Sequence, residues 1–153
     1  MHPLVALPYQ GVAQLAGFLG RLPLPGQSKL ARTLRARRGV LDRFATWGAA
    51  GRDVQRPLLW IHAPSVGEGL QARPVIDLLR ARRPDLQSAY TFYSPSAARF
   101  AASLGADFAD YLPFDTGGAA ERVLDALRPT AIVFAKLDLW PVLAVHAKAR
   151  GVA

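Results

Sequence analysis

Between residues 57 and 150 the chain alternates four times between a short apolar run and a stretch of helical character. The runs are PLLWIHA at 57–63, SAYTFY at 88–93, a strand within DFADYLPF at 107–114, and TAIVFAK at 130–136. Helices are predicted over 65–83, 96–104, 119–127 and 140–150. Pro74 is expected to bend the first, Gly105 and Pro129 to follow the second and third, and Gly151 to follow the last. Strands that are apolar at successive positions must be covered on both faces. The alternation therefore predicts the α/β class, with a parallel sheet between two helical layers. Ligands of such sheets lie beyond the carboxyl ends of the strands. Those ends fall at 62–68, 93–96, 113–117 and 136–140. The chain stops at Gly151-Val152-Ala153, where a fifth strand is due, and is expected to be part of a longer protein.

Charge divides the chain at a predicted linker, residues 52–56. Of the net +8, most sits in residues 1–56, where nine basic side chains face only Asp42 and Asp53. Residues 57–153 hold ten basic and nine acidic side chains. Two units are expected: an apolar and Arg-rich N-terminal segment over 1–56, and the α/β lobe over 57–153. Residues 3–25 are apolar but interrupted by Pro8, Gln10, Gln14, Gly17, Gly20 and Arg21, so no run reaches the roughly 20 residues of a spanning helix. They read as a short interfacial or hairpin-like element, or as a core helix. Ser28 is a candidate helix cap, followed by Lys29, Arg32, Arg35, Arg37, Arg38 and Arg43. A basic stretch beside apolar residues and Trp47 points to an anionic membrane surface. No nucleic-acid partner is expected, since no recognition motif accompanies these arginines.

The chain has no cysteine, which excludes disulfides, thiolate chemistry and Cys-based zinc sites. His2, His62 and His146 lie far apart, so no metal and no cofactor are expected.

Three segments carry chemistry. APSVGEG, residues 63–69, joins the first strand to the first helix. Ser65 and Glu68 match a capping box, in which each side chain satisfies the other's amide. The cap is the commoner use of such a pair; the alternative is that Glu68 is a general base that takes the proton of an acceptor hydroxyl attacking an anomeric carbon. Gly67 and Gly69 leave room for a bulky acceptor. YSPSAAR, residues 93–99, offers Ser94, Ser96 and a helix start to an anion such as phosphate, or simply caps a helix. KLDLWP, residues 136–141, sets Lys136 and Asp138 at a strand end, as site residues or as a local cap with a solvated lysine.

These segments resemble one family. WIHAPSVGEGLQARPVI (60–76) is similar to the W-[IV]-H-[AC]-x-S-V-G-E motif of the 3-deoxy-D-manno-oct-2-ulosonic acid (Kdo) transferases. YLPFDTGGAAERVLDALRP (111–129) resembles their Y-x-P-[YF]-D stretch, and LDLWPVLAVHAKARGV (137–152) their T-E-L-W-P-N-L. Order and approximate spacing are kept over 57–153. The resemblance implies a Rossmann-like lobe, the N-terminal half of a GT-B glycosyltransferase, preceded by a helical membrane-associating segment. It implies an inverting, metal-independent transfer of Kdo from CMP-Kdo, held by a C-terminal lobe, to a lipid A precursor held by this one. It implies Glu68 as the base, with Ser65 and Gly67 in its motif, and a place on the cytoplasmic face of the bacterial inner membrane. Ser94, Ser96, Arg99, Lys136 and Asp138 are expected to bind substrate. The chain departs from the pattern at Lys136, where the family typically has Glu, at Asp138 for a second Glu, and at Val142 for Asn. Lys136 is expected to lower the pKa of Glu68. A diverged, non-catalytic lobe that binds acidic lipid or a protein is the competing expectation.

Overall fold

In a computed structural model, the described residues are Tyr9, 11–15, 17–18, 28–136 and 138–153. The element read over 3–25 thus falls largely outside them. Four strands form one all-parallel sheet: β1 (Leu58–His62), β2 (Gln87–Phe92), β3 (Phe108–Tyr111) and β4 (Ala131–Phe134), in the order β3-β2-β1-β4. β1 is central and buried at four of its five positions, which explains its unbroken apolar run. β4 has a strand partner on one side only, and Val133 is correspondingly exposed. Along β4, Ala153 accepts from the Ile132 amide and donates to the Thr130 carbonyl, both within 3.2 Å.

The helices are α1 (Lys29–Ala36), α2 (Val40–Ala50), α3 (Val66–Arg82), α4 (Ala98–Ala102), α5 (Gly117–Leu127) and α6 (Pro141–Ala149). A 3-10 turn, Pro95–Ala97, precedes α4. On one face of the sheet, Leu58, Trp60 and Ala89 pack against α2, α5 and α6. On the other, Ile61, Tyr90 and Phe92 pack against Ile76 of α3 and Ala101 of α4. Alternate strand residues serve alternate faces, as the pleat requires. The expected α/β architecture with helices on both faces is what forms.

Residues 28–56 share this core. Phe44 of α2 is fully buried, 4.7 Å from Phe108 and 6.2 Å from Trp60 between ring centres. Burying such a ring contributes about 2–3 kcal/mol. The basic stretch is not one continuous surface. Gly39 (φ +66°) breaks it into two helices, a left-handed turn that a side chain would disfavour. Arg37 is buried, Arg43 is bidentate to Asp110, and Arg56 binds the carbonyls of residues 84–86, so the expected linker is clamped to the lobe.

Candidate active site

The chain order reverses at β1: β2 lies to one side and β4 to the other. Sheets of this kind take their ligands at such a switch point, beyond the carboxyl ends of the strands that flank it. Glu68 reaches it from the first turn of α3, and Lys136 and Asp138 from the loop after β4.

Ser65 starts α3 in extended backbone (φ −137°), so its hydroxyl accepts from the Gly67 amide at 3.2 Å. The same hydroxyl donates to Glu68 Oε2. This replaces the expected reciprocal box, in which Ser65 would hold the amide of Glu68. Lys136 Nζ donates to the other carboxylate oxygen, Oε1, at 3.2 Å. The Glu68 side chain is 19% exposed and that of Lys136 59%. The Ser65 hydroxyl, the backbone amide of Glu68 and the Lys136 ammonium hold the Glu68 carboxyl below its usual range. The expected effect of Lys136 is present, and Ser65 is the larger cause. Glu68 is thus a charged, weakly basic carboxylate with two donors on it. Lys136 itself has φ +57°, a strained conformation for a side chain of this kind.

The remaining predicted residues divide. The amides of Tyr93 and Ser94 both bond the Pro64 carbonyl, at 3.0 and 2.9 Å, which ties the second loop to the first. Ser94 and Ser96 then share a hydroxyl bond of 2.8 Å. Arg99 is exposed on α4 and makes no hydrogen bond or ion pair among the described residues. Gly67 is open, with only Ser65 Oγ near a notional Cβ, at 3.7 Å. Gly69 does not serve acceptor access as expected. A Cβ there would strike Tyr90 and Phe100, so it is glycine because those rings pack beneath α3.

Around the expected Asp138 stand residues that the sequence did not single out. Asp138 Oδ2 lies 3.0 Å from Nε2 of His62 and accepts from the Trp140 indole at 3.3 Å. His62 is wholly buried, and burial lowers its pKa, so its imidazole is neutral at neutral pH. A histidine ending an otherwise apolar strand was the available signal. Asp115, in the Y-L-P-F-D stretch, caps α6 through the amides of Val142 (2.9 Å) and Leu143 (2.8 Å). It also accepts from the Tyr9 hydroxyl at 2.8 Å. Trp140 lies between His62 and Tyr93, 5.9 Å from each ring. Arg37 lies beneath, 4.0 Å over the Tyr93 ring, donating to the carbonyls of Thr33, Leu112 and Tyr93. It fixes the loops after β2 and β3.

A sequence profile of the family described as 3-deoxy-D-manno-octulosonic-acid transferase (kdotransferase) matches residues 32–153. The 3-deoxy-D-manno-octulosonic acid transferase of Haemophilus influenzae is 30% identical over 111 residues, which are 71% of this chain and 26% of the relative. That of Bordetella pertussis is 32% identical over 130 residues, 77% of this chain and 30% of the relative. A probable mitochondrial 3-deoxy-D-manno-octulosonic acid transferase of Arabidopsis thaliana is 34% identical over 115 residues, 70% of this chain and 26% of the relative. The chain thus spans 26–30% of the length of these relatives. No solved structure matches it. The profile covers the sheet, the strand-end loops and both helical layers, and on that breadth the chain belongs to the Kdo transferase family.

Proposed function

We propose that this chain is the acceptor-side lobe of an inverting glycosyltransferase that moves Kdo from CMP-Kdo to a lipid A precursor, with Glu68 as general base. The observation that carries this reading is the position of Glu68, just past the carboxyl end of β1 at the sheet's switch point, held by Ser65 and Lys136. In the reaction, a sugar hydroxyl oxygen forms the bond to the anomeric carbon of Kdo. Its proton passes to Glu68, and the bond from that carbon to the CMP phosphate breaks with inversion. CMP-Kdo itself is held by a second lobe.

A base works best with a pKa near the working pH. Glu68 is held below that, so the substrate complex must relieve it. An anionic acceptor group that draws Lys136 away removes one of the charges acting on Glu68 and raises its basicity. Ser94, Ser96 and Arg99 offer further donors for acceptor phosphate, and the open edge at Gly67 admits the sugar.

Membrane association on the cytoplasmic face of the inner membrane belongs to the same reading. Val12, Leu15 and Phe18 are exposed apolar residues spaced by three, and Arg32 and Arg38 are exposed on the neighbouring basic segment. Among the described residues, no helix is long and apolar enough to cross a membrane. The competing reading, a non-catalytic lobe, is favoured by the Lys136–Glu68 pair alone. The test is Kdo transfer onto lipid A precursor by a protein that carries both lobes. Transfer is expected, with none from the 153-residue chain alone. A Lys136→Glu variant separates the readings, since a large gain in rate means that Lys136 silences the site. Flotation with anionic liposomes is expected to carry the chain upward, and no flotation would contradict the membrane reading.

A further inference from the structure

A chain of hydrogen bonds runs through the sheet beneath the switch point. The indole N–H of Trp60 donates to Thr91 Oγ1 at 2.8 Å. Thr91 Oγ1 lies 3.0 Å from Nδ1 of His62, and Nε2 of His62 lies 3.0 Å from Oδ2 of Asp138. The sheet itself builds this chain. His62 and Thr91 are register partners on β1 and β2, and Trp60 precedes His62 by two residues and so shares its face. All three side chains are fully buried, and the rings of Phe134 and Trp140 stand steeply tilted to the imidazole, 6.2 and 5.9 Å away between centres.

Both ends of the chain have a fixed sense. An indole nitrogen only donates, and a carboxylate only accepts. Between them stand one hydroxyl proton and, on a neutral imidazole, one ring proton. Each contact receives a proton in one arrangement: indole to Thr91, the Thr91 hydroxyl to Nδ1, and Nε2–H to Asp138. The opposite tautomer sets the Nε2 lone pair against a carboxylate oxygen in a dry setting, where an unmade hydrogen bond is costly.

We infer that His62 is a positioning residue, held by Thr91 on Nδ1 and the Asp138 carboxylate on Nε2 as its Nε2–H tautomer, so that it and Trp140 clamp Oδ2 of Asp138. Oδ1 accepts no hydrogen bond among the described residues, on a side chain that is 40% exposed. That oxygen is left as the acceptor for a substrate hydroxyl, and Asp138 orients the nucleophile that Glu68 deprotonates. The substrate part rests on the Kdo-transfer reading, whereas the tautomer does not.

The test has two arms. In the full chain with 15N-labelled histidine, ring couplings are expected to show His62 protonated at Nε2 alone. Thr91→Val, which removes the hydroxyl at nearly constant shape, is expected to keep the Nε2–H tautomer, because Asp138 still faces Nε2, and to shift the Nδ1 resonance as that nitrogen loses its donor. In Kdo transfer by the protein with both lobes, His62→Gln returns an amide N–H near the Nε2 position and is expected to stay within about threefold of wild type. His62→Asn returns it near Nδ1 and is expected to lose at least about tenfold in kcat, the rate equivalent of one hydrogen bond. Unfolding midpoints confirm that the variants compared are folded. A wild-type ring protonated at Nδ1 overturns the proposal, as does an equal loss in folded Gln and Asn variants. If His62→Asn does not fold, an unshifted Nδ1 resonance in Thr91→Val overturns it. If wild type transfers no Kdo, the functional reading fails while the ring spectrum still decides the tautomer.

Discussion

Arg37 and Lys136 are both cations beside strand-end loops, yet they belong to opposite parts of the molecule. Arg37, in the helical segment 28–56, is 5% exposed, stacks on Tyr93 and gives its protons to three backbone carbonyls. Lys136, in the loop after β4, is 59% exposed, sits in left-handed backbone, and has Glu68 as its ion-pair partner. The fold has spent the first charge on its own loops and left the second in reach of a ligand. Local charge density suggested the reverse, a solvated Arg37 facing a membrane. Burial and the kind of partner, backbone carbonyl against titratable carboxylate, separate the structural cation from the proposed site cation.

The comparison breaks most visibly if segment 28–56 is not part of the core. Phe44→Ala is expected to cost about 3–5 kcal/mol in urea unfolding, as for other buried rings, and a cost under about 1 would detach α2 from the lobe. Arg37→Ala is expected to cost about 2–4 kcal/mol, because buried carbonyls lose their donor. Arg37→Lys should recover less than half of that, since an ammonium lacks the planar fork.

A smaller effect comes from pH. Burial sets the pKa of folded His62 below its ordinary 6.5, so the unfolded chain binds more protons just under that pH. Its contribution is complete above pH 6.5 and lost as pH falls below it, by at most about 1.4 kcal/mol per pH unit. The loss should flatten in His62→Gln, measured as urea midpoints between pH 7 and about pH 5. Glu68, also depressed, adds its loss only below its ordinary 4.5. Least of all, Lys136→Gln should change stability by less than about 0.5 kcal/mol while raising the Glu68 pKa in a carboxyl NMR titration. A Lys136 that proves structural would reverse those two results.

The sheet was legible because strands buried on both faces read as unbroken apolar runs, and Pro, Gly and Ser marked the helix ends. The motif around Glu68 was legible for the same reason that it caps α3: Ser65 and Glu68 are close in sequence. What stayed hidden depends on register or burial. Thr91 and His62 become neighbours only when β1 and β2 are aligned, and Asp138 joins them from 76 residues further on. Gly69 looked like room for a substrate because Tyr90 and Phe100 reach it from β2 and α4. Arg37 looked like its neighbours until the turn at Gly39 rotated α1 against the loops.

The proposed reaction depends most on the carboxylate of Glu68. Kdo transfer onto lipid A precursor, compared between wild type and Glu68→Gln in a protein with both lobes, tests it directly. Gln keeps the size of the side chain and removes its basicity. A fall in kcat of about 10²- to 10⁴-fold is expected, with the unfolding midpoint unchanged. Turnover within about threefold of wild type would contradict it.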